Sequence, residues 1–202
     1  TLTLAVGAIV TTSGNVSVDS SAGGIRGNTD NSAADITTTG GNITLAANAG
    51  GIRGASGNNA LDIDAAAGAV ITLTVDGAGD ADVDYVAVED VALSFTATHS
   101  AAGDITFDSL ATGTLTLNAT TTGAGDINIL SDGVVTVAAG VAATGGGVVL
   151  DANGALSVAN GVNVTAGGAG TVLTGLARRI DRELTAVSVS DPAGVDSFLE
   201  TL

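Results

Sequence analysis

Residues 9–35 and 36–62 say the same thing twice. IVTTSGNVSVDSSAGGIRGNTDNSAAD aligns without a gap on ITTTGGNITLAANAGGIRGASGNNALD at a spacing of 27 residues, and both carry AGGIRG. A unit of that length cannot bury its apolar residues alone, so successive units must stack. Within each unit the apolar residues alternate in short runs, Val16-Ser17-Val18 matching Ile43-Thr44-Leu45. A period of two marks a half-buried strand and excludes an amphipathic helix there. Each unit therefore reads as one coil of an all-β fold, a single-stranded parallel β-helix (β-solenoid), with equivalent positions of successive coils above one another.

The frame extends along most of the chain. Thr1–Ala8 (TLTLAVGA) alternates and opens the stack, and Ile63–Asp90 forms a third coil with one extra residue. From Val91 the period contracts to about 21 residues. One strand track then reads Leu93-Ser94-Phe95, Leu115-Thr116-Leu117, Val135-Thr136-Val137 and Leu156-Ser157-Val158. A second reads Ile105-Thr106-Phe107, Ile127-Asn128-Ile129, Val148-Val149-Leu150 and Val172-Leu173. Gly103, Gly125 and Gly146 open strands of the second track, and Gly113, Gly133 and Gly154 those of the first. Their recurrence marks corners, where a positive φ is expected. Three wide and four narrow coils give about seven, or roughly 34 Å at the inter-strand spacing of ~4.8 Å.

The repeat ends near Thr174, which divides the chain into a solenoid at 1–174 and a C-terminal cap, linker or subunit-docking segment at 175–202. Leu176, Ile180 and Leu184 recur at helical spacing, and Arg178, Arg179 and Arg182 lie among them. That pattern predicts a short amphipathic helix, followed by a strand over 185–190. An open solenoid must cover its terminal coil, so a cap is the plain expectation. A docking surface for a second copy, or for a neighbouring domain of a longer chain, is the sharper one. Residues 1–175 carry 16 acids and 2 Arg, while 176–202 carry 5 acids and 3 Arg. A head-to-tail contact would set the Arg cluster against an acidic neighbour, with Leu176, Ile180 and Leu184 buried.

Composition narrows the function. Apolar residues make up 45 % of the chain and aromatic residues only 2 %, so the core must be Val, Ile, Leu and Ala. The net charge of −16, with no Lys, opposes nucleic acid and anionic membrane surfaces. No apolar run reaches the roughly 18 residues of a membrane span, so no membrane insertion is expected. The first residue is Thr1, without Met or leader, which points to a processed form or an excised piece. Asn-x-Ser/Thr triplets begin at Asn15, Asn42, Asn118 and Asn163; turn and strand positions in a Thr-rich solenoid explain them more simply than glycosylation.

Three groups of residues are candidates for chemistry. Asp76, Asp80, Asp82 and Asp84 alternate in a Gly-containing stretch, the kind of oxygen-rich set that suits Ca²⁺. The match to the EF-hand loop fails, because Tyr85 stands where that loop has Gly and Val91 where it has Glu. An acidic surface loop is the plainer reading, and calcium is the single cofactor the sequence brings into view. Asp35, Asp62 and Asp90 close the first three coils and would form a column, with Arg26 and Arg53 forming another; solvated corners explain these more simply than an ion site. His99 sits in a Thr-His-Ser turn and reads as an exposed corner. Thr11-Thr12 stack on Thr38-Thr39, but Ala65-Ala66 end that threonine row, which argues against ice binding. A body without Lys, with one His and few aromatic residues, offers little for catalysis, so an enzyme is not expected.

The segments GNVSV (14–18), GNITL (41–45), GDITF (103–107) and GDINI (125–129), alternating with Gly-x-Leu-x-Leu runs, resemble the repeats of filamentous haemagglutinin-like bacterial exoproteins and adhesins. The resemblance covers residues 1–174. It implies a parallel β-helix, an extracellular or bacterial cell-surface location, and a role in adhesion or surface filaments. Implied partners are the chain itself head to tail, neighbouring domains, or a host or surface glycan. The secretion domain usual at that family's N-terminus is not evident. The expected function is thus a structural or adhesive solenoid module; the alternative is a carbohydrate-binding or carbohydrate-cleaving β-helix, for which an aromatic-lined groove would be the sign.

Overall fold

A computed structural model describes residues 2–3, 9–27, 33–55, 60–168 and 171–175. All its regular elements are strands, and the strands pair in parallel across successive coils. They form two sheets. The eleven-stranded sheet climbs through Leu2–Thr3, Gly24–Arg26, Gly51–Arg53, Ala81–Tyr85, Ile105–Ser109, Ile127–Ser131, Val148–Ala152 and Thr171–Gly175. A branch of Ile9–Thr11, Ile36–Thr38 and Leu61–Ala65 joins it at Ala81–Tyr85. The nine-stranded sheet climbs through Val16–Ser20, Ile43–Ala47, Val70–Val75, Leu93–His99, Thr114–Thr122, Val134–Val137 and Leu156–Val158. Its branch, Val141–Ala143 and Val164–Ala166, continues from the far half of Thr114–Thr122.

Along both strand tracks named from the sequence, the stacking is as expected. Val16 lies over Ile43, and Leu115 over Val135 over Leu156. The second track stacks Ile105, Ile127 and Val148. Alternate residues of both sheets point into one continuous core of Val, Ile, Leu and Ala, with Tyr85, Phe95 and Phe107 as its largest members. At ~25 cal/mol per Å² of apolar area removed from water, each inward Ile or Leu contributes about 2 kcal/mol toward holding a coil on its neighbours. The seven strands on the main path of the nine-stranded sheet leave six coil-to-coil steps, so the solenoid makes about six turns, not seven.

The period contracts earlier than Val91. Ile52 and Leu61, nine residues apart, pair with Ala81 and Val83, which are two apart. Seven residues of excursion have been cut out there, and two short strands have fused into Ala81–Tyr85. That deletion shortens the coil from 29 residues, Ile52 to Ala81, to 22, Leu61 to Val83, and the next steps are 24, Ala81 to Ile105, and 22, Ile105 to Ile127. It also shifts the frame, so that Asp62 pairs with Asp84 and not with Asp90, which is exposed.

The corner glycines are required for a different reason from the one expected. Gly103, Gly113, Gly125, Gly133, Gly146 and Gly154 are not among the residues of positive φ. Instead a Cβ on Gly125 would strike the carbonyl of Gly103, and one on Gly146 the carbonyl of Gly125. Close stacking of corner on corner is what excludes a side chain. Positive φ occurs at Gly14, Gly51, Gly68 and Gly161.

Side-chain ladders tie the corners together. The Asn42 backbone N–H donates to Asn15 Oδ1 at 2.9 Å, and the Val70 N–H to Asn42 Oδ1 at 2.9 Å. At another corner the Asp104 N–H donates to Asp80 Oδ1 at 3.1 Å, the Asp126 N–H to Asp104 Oδ1 at 2.8 Å, and the Gly147 N–H to Asp126 Oδ1 at 2.7 Å. The Gly-Asn/Asp pair thus serves two corners: GNVSV and GNITL open strands of one sheet, GDITF and GDINI strands of the other.

Candidate functional site

The outer surface of the eleven-stranded sheet gathers acids. Alternation along Ala81–Tyr85 buries Ala81, Val83 and Tyr85 and turns Asp82 and Asp84 outward. Pairing with neighbouring coils sets Asp82 beside Thr106, and Asp84 between Asp62 and Asp108. Arg53, Asp80, Asp82, Asp104 and Thr106 line a shallow depression of about 230 Å³.

The electrostatics follow from in-register stacking. Partial burial first, then Asp84 and Asp80, push the Asp82 carboxyl up to about 7 against the opposing pull of Arg53. Burial and Asp108 raise Asp84 to about 6. Asp108 is raised by burial and by Asp132, and Asp64 by burial and by Glu89. Strand neighbours sit ~4.8 Å apart, so carboxylates in one column cannot all ionise freely.

The four residues of the calcium expectation do not form a loop. Asp76 is exposed just past the end of Val70–Val75, Asp80 belongs to the corner ladder, and Asp82 and Asp84 lie on a strand. Among the described residues no three His, Cys, Asp or Glu are grouped so as to hold a metal ion. Period-two alternation spreads acids along a strand, where a chelating loop would converge them.

The Asp35 and Asp62 column is stacked as expected but is not solvated. Both residues are fully buried, and the Asp62 N–H approaches Asp35 Oδ2 at 3.4 Å. Arg26 pairs in register with Arg53 and donates from Nη2 to the Gly50 carbonyl at 2.6 Å. Burial, then the like charge of Arg53, lower its pKa, while Asp80 raises it. His99 is also buried, at 2 % exposure, not an exposed corner. Its Nε2 lies 2.7 Å from the Gly79 carbonyl and its Nδ1 accepts from the Ala101 N–H at 3.2 Å, which assigns the Nε2–H tautomer. The Tyr85 hydroxyl lies 2.9 Å from the Ala65 carbonyl and 2.7 Å from Glu89 Oε1. Burial and that carboxylate raise its pKa.

Sequence reading missed Asp64, Asp104 and Asp108 as members of this surface. The available signal was the Gly-Asp opening of two strands, but their neighbours emerge only once the excised residues fix the frame. Arg178, Arg179, Arg182, Leu176, Ile180 and Leu184 lie outside the described residues.

No protein-family model, no curated protein and no solved structure matches this chain.

Proposed function

We propose that this chain is a structural, adhesive solenoid module of a bacterial surface protein or extracellular filament, joined head to tail to further copies or to neighbouring domains. The observation that carries the reading is the continuous parallel stacking of coil on coil over about six turns, which makes an elongated shaft. The repeats resemble those of filamentous haemagglutinin-like exoproteins in their Gly-Asn/Asp strand openings, and those residues form the corner ladders. Electron microscopy of the purified chain tests it. Rods or fibres are expected; isolated particles at all concentrations would overturn head-to-tail growth.

One feature favours a second reading, a carbohydrate-cleaving β-helix. Asp82, held near neutrality beside Asp80, Asp104 and Arg53, has the ingredients of a proton donor in a depression. Against it, Tyr85, Phe95 and Phe107 are fully buried and leave no sugar-stacking platform among the described residues. Release of reducing ends from an acidic or neutral polysaccharide, lost in Asp82→Asn, would establish the second reading over the first.

A further inference from the structure

The two sheets differ in charge in a way that strand propensity does not explain. Outward positions of the eleven-stranded sheet include Arg53, Asp64, Asp82, Asp84, Asp108 and Asp151. From Ile43 to Ala166, the outward positions of the nine-stranded sheet are Thr, Ser, Val, Ala or Asn, with no charged residue. Asp19, in the first coil, is the one acid within those strands among the described residues, and Asp76, exposed just past Val70–Val75, stands at the edge of that surface. Both surfaces belong to parallel strands of one chain, and both need residues that suit a solvated strand face. Thr satisfies that need by its β-branch. It does not account for the absence of acids from one side of a chain of net charge −16.

The hydroxyls are also in register. Thr44, Thr72 and Thr96 form one column, Thr74, Thr98 and Thr121 a second, and Ser94, Thr116, Thr136 and Ser157 a third. In the third column Ser157 Oγ donates to Thr136 Oγ1 at 3.3 Å. One register shift, between the Phe95 and Ala97 pairings, interrupts the grid on the Thr114–Thr122 strand.

We propose that this uncharged hydroxyl face is where two copies of the chain pair, sheet against sheet, as a closed two-fold dimer. Two copies approaching through the other sheet would bring Asp82, Asp84 and Asp108 against their own equivalents. Pairing through the hydroxyl face keeps those acids on the outside of the pair. Short Thr, Ser, Val and Ala side chains allow two flat sheets to close to ~10 Å and interdigitate. The area suffices. A strand of seven residues spans ~23 Å and six steps rise ~29 Å, so roughly 650 Å² per copy is covered. The pair then buries roughly 1,300 Å², above the ~1,000 Å² that a specific interface needs. The proposal is independent of head-to-tail growth: an isologous contact closes at two copies, whereas an end-to-end contact does not close.

Thr96 gives the test its handle. It is the middle residue of Leu93–His99, the fourth of the seven strands on the main path, and so lies at the centre of the face. Sedimentation velocity of the 202-residue chain over a concentration series should show a reversible species of twice the monomer mass. It should strengthen with added salt, because screening relieves repulsion between the acidic remainders. Thr96→Glu should weaken pairing at least tenfold, while Asn128→Glu, on the other sheet, should leave it unchanged. Thr96→Cys, in a chain without other Cys, should cross-link to its own copy on mild oxidation, and Asn128→Cys should not. The cysteine pair keeps the test valid should the Glu variant fold poorly. A wild-type chain that stays monomeric, or a dimer indifferent to Thr96→Glu, would overturn the proposal. So would a monomer that binds insoluble cellulose through Thr96, since the face would then belong to a neutral polysaccharide. Growth beyond two copies that survives Thr96→Glu would report the end-to-end contact alone.

Discussion

Phe95 and Phe107 stack on each other inside the tube, ring centroids 4.3 Å apart and planes 23° from parallel. Phe95 comes from the nine-stranded sheet and Phe107 from the eleven-stranded one, so the contact bridges the two walls. Both rings are fully buried, as is Tyr85, in a core otherwise built from aliphatic residues. Phe107→Ala should lower stability by about 3–5 kcal/mol, through lost transfer energy and the cavity left between the sheets. Phe107→Leu should cost about 1–2 kcal/mol, since most of the volume remains. Urea unfolding followed by circular dichroism measures both.

Gly125 and Gly40 separate two uses of glycine. A Cβ at Gly125 would meet the backbone of Gly103 and Asp104, which cannot swing aside. At Gly40 the nearest atoms, of Thr12 and Ser13, are at 3.5 Å, an ordinary contact. Gly125→Ala should therefore destabilise by about 1–3 kcal/mol. Gly40→Ala should be neutral or stabilise by about 0.5 kcal/mol through the unfolded chain. Equal losses in the two melting curves would mean that corner stacking is not what selects glycine.

The architecture was legible because its signal is periodic: Val16 over Ile43 follows from sequence alignment alone. The acidic surface was not, because Asp62 pairs with Asp84 only after seven residues are removed between Ile52 and Leu61. A deletion inside a degenerate coil leaves no mark in composition. His99 and Asp35 misled for another reason. Polar residues at turns are expected in solvent, yet a coil can bury them wherever backbone groups supply partners. The hydroxyl face escaped because its members lie on six different strands and line up only when stacked.

The Asp80–Asp104–Asp126 ladder makes each carboxylate an acceptor for the backbone of the next coil. Asp104→Ala removes the acceptor of the Asp126 N–H and should cost about 1 kcal/mol. Asp104→Asn keeps an Oδ1 acceptor and removes a charge from an acidic edge, so it should be neutral or stabilising. Amide hydrogen exchange at Asp126 gives a local reading: faster in the Ala variant and unchanged in the Asn variant. Loss of protection in both would locate the stabilisation in the charge and not in the hydrogen bond.

The outer carboxylates make stability depend on pH in the opposite sense to ordinary acid unfolding. Asp82 is raised to about 7 and Asp84 to about 6 in the fold, against the usual Asp value near ~3.9 in the unfolded chain. Between those limits the folded state holds protons that the unfolded state has lost, so stability falls as pH rises. The favourable contribution is complete below about pH 4 and gone above about pH 7. Asp82 is partly solvated, so the change is closer to about 2 kcal/mol than to the full value of such a shift. The melting temperature should therefore be several degrees higher at about pH 5 than at about pH 8. Asp82→Asn should raise the value at the higher pH and flatten the profile, because an amide in that column carries no charge to desolvate. A profile that rises from pH 5 to pH 8, in wild type and Asp82→Asn alike, would show that these carboxylates ionise in the fold as freely as in water.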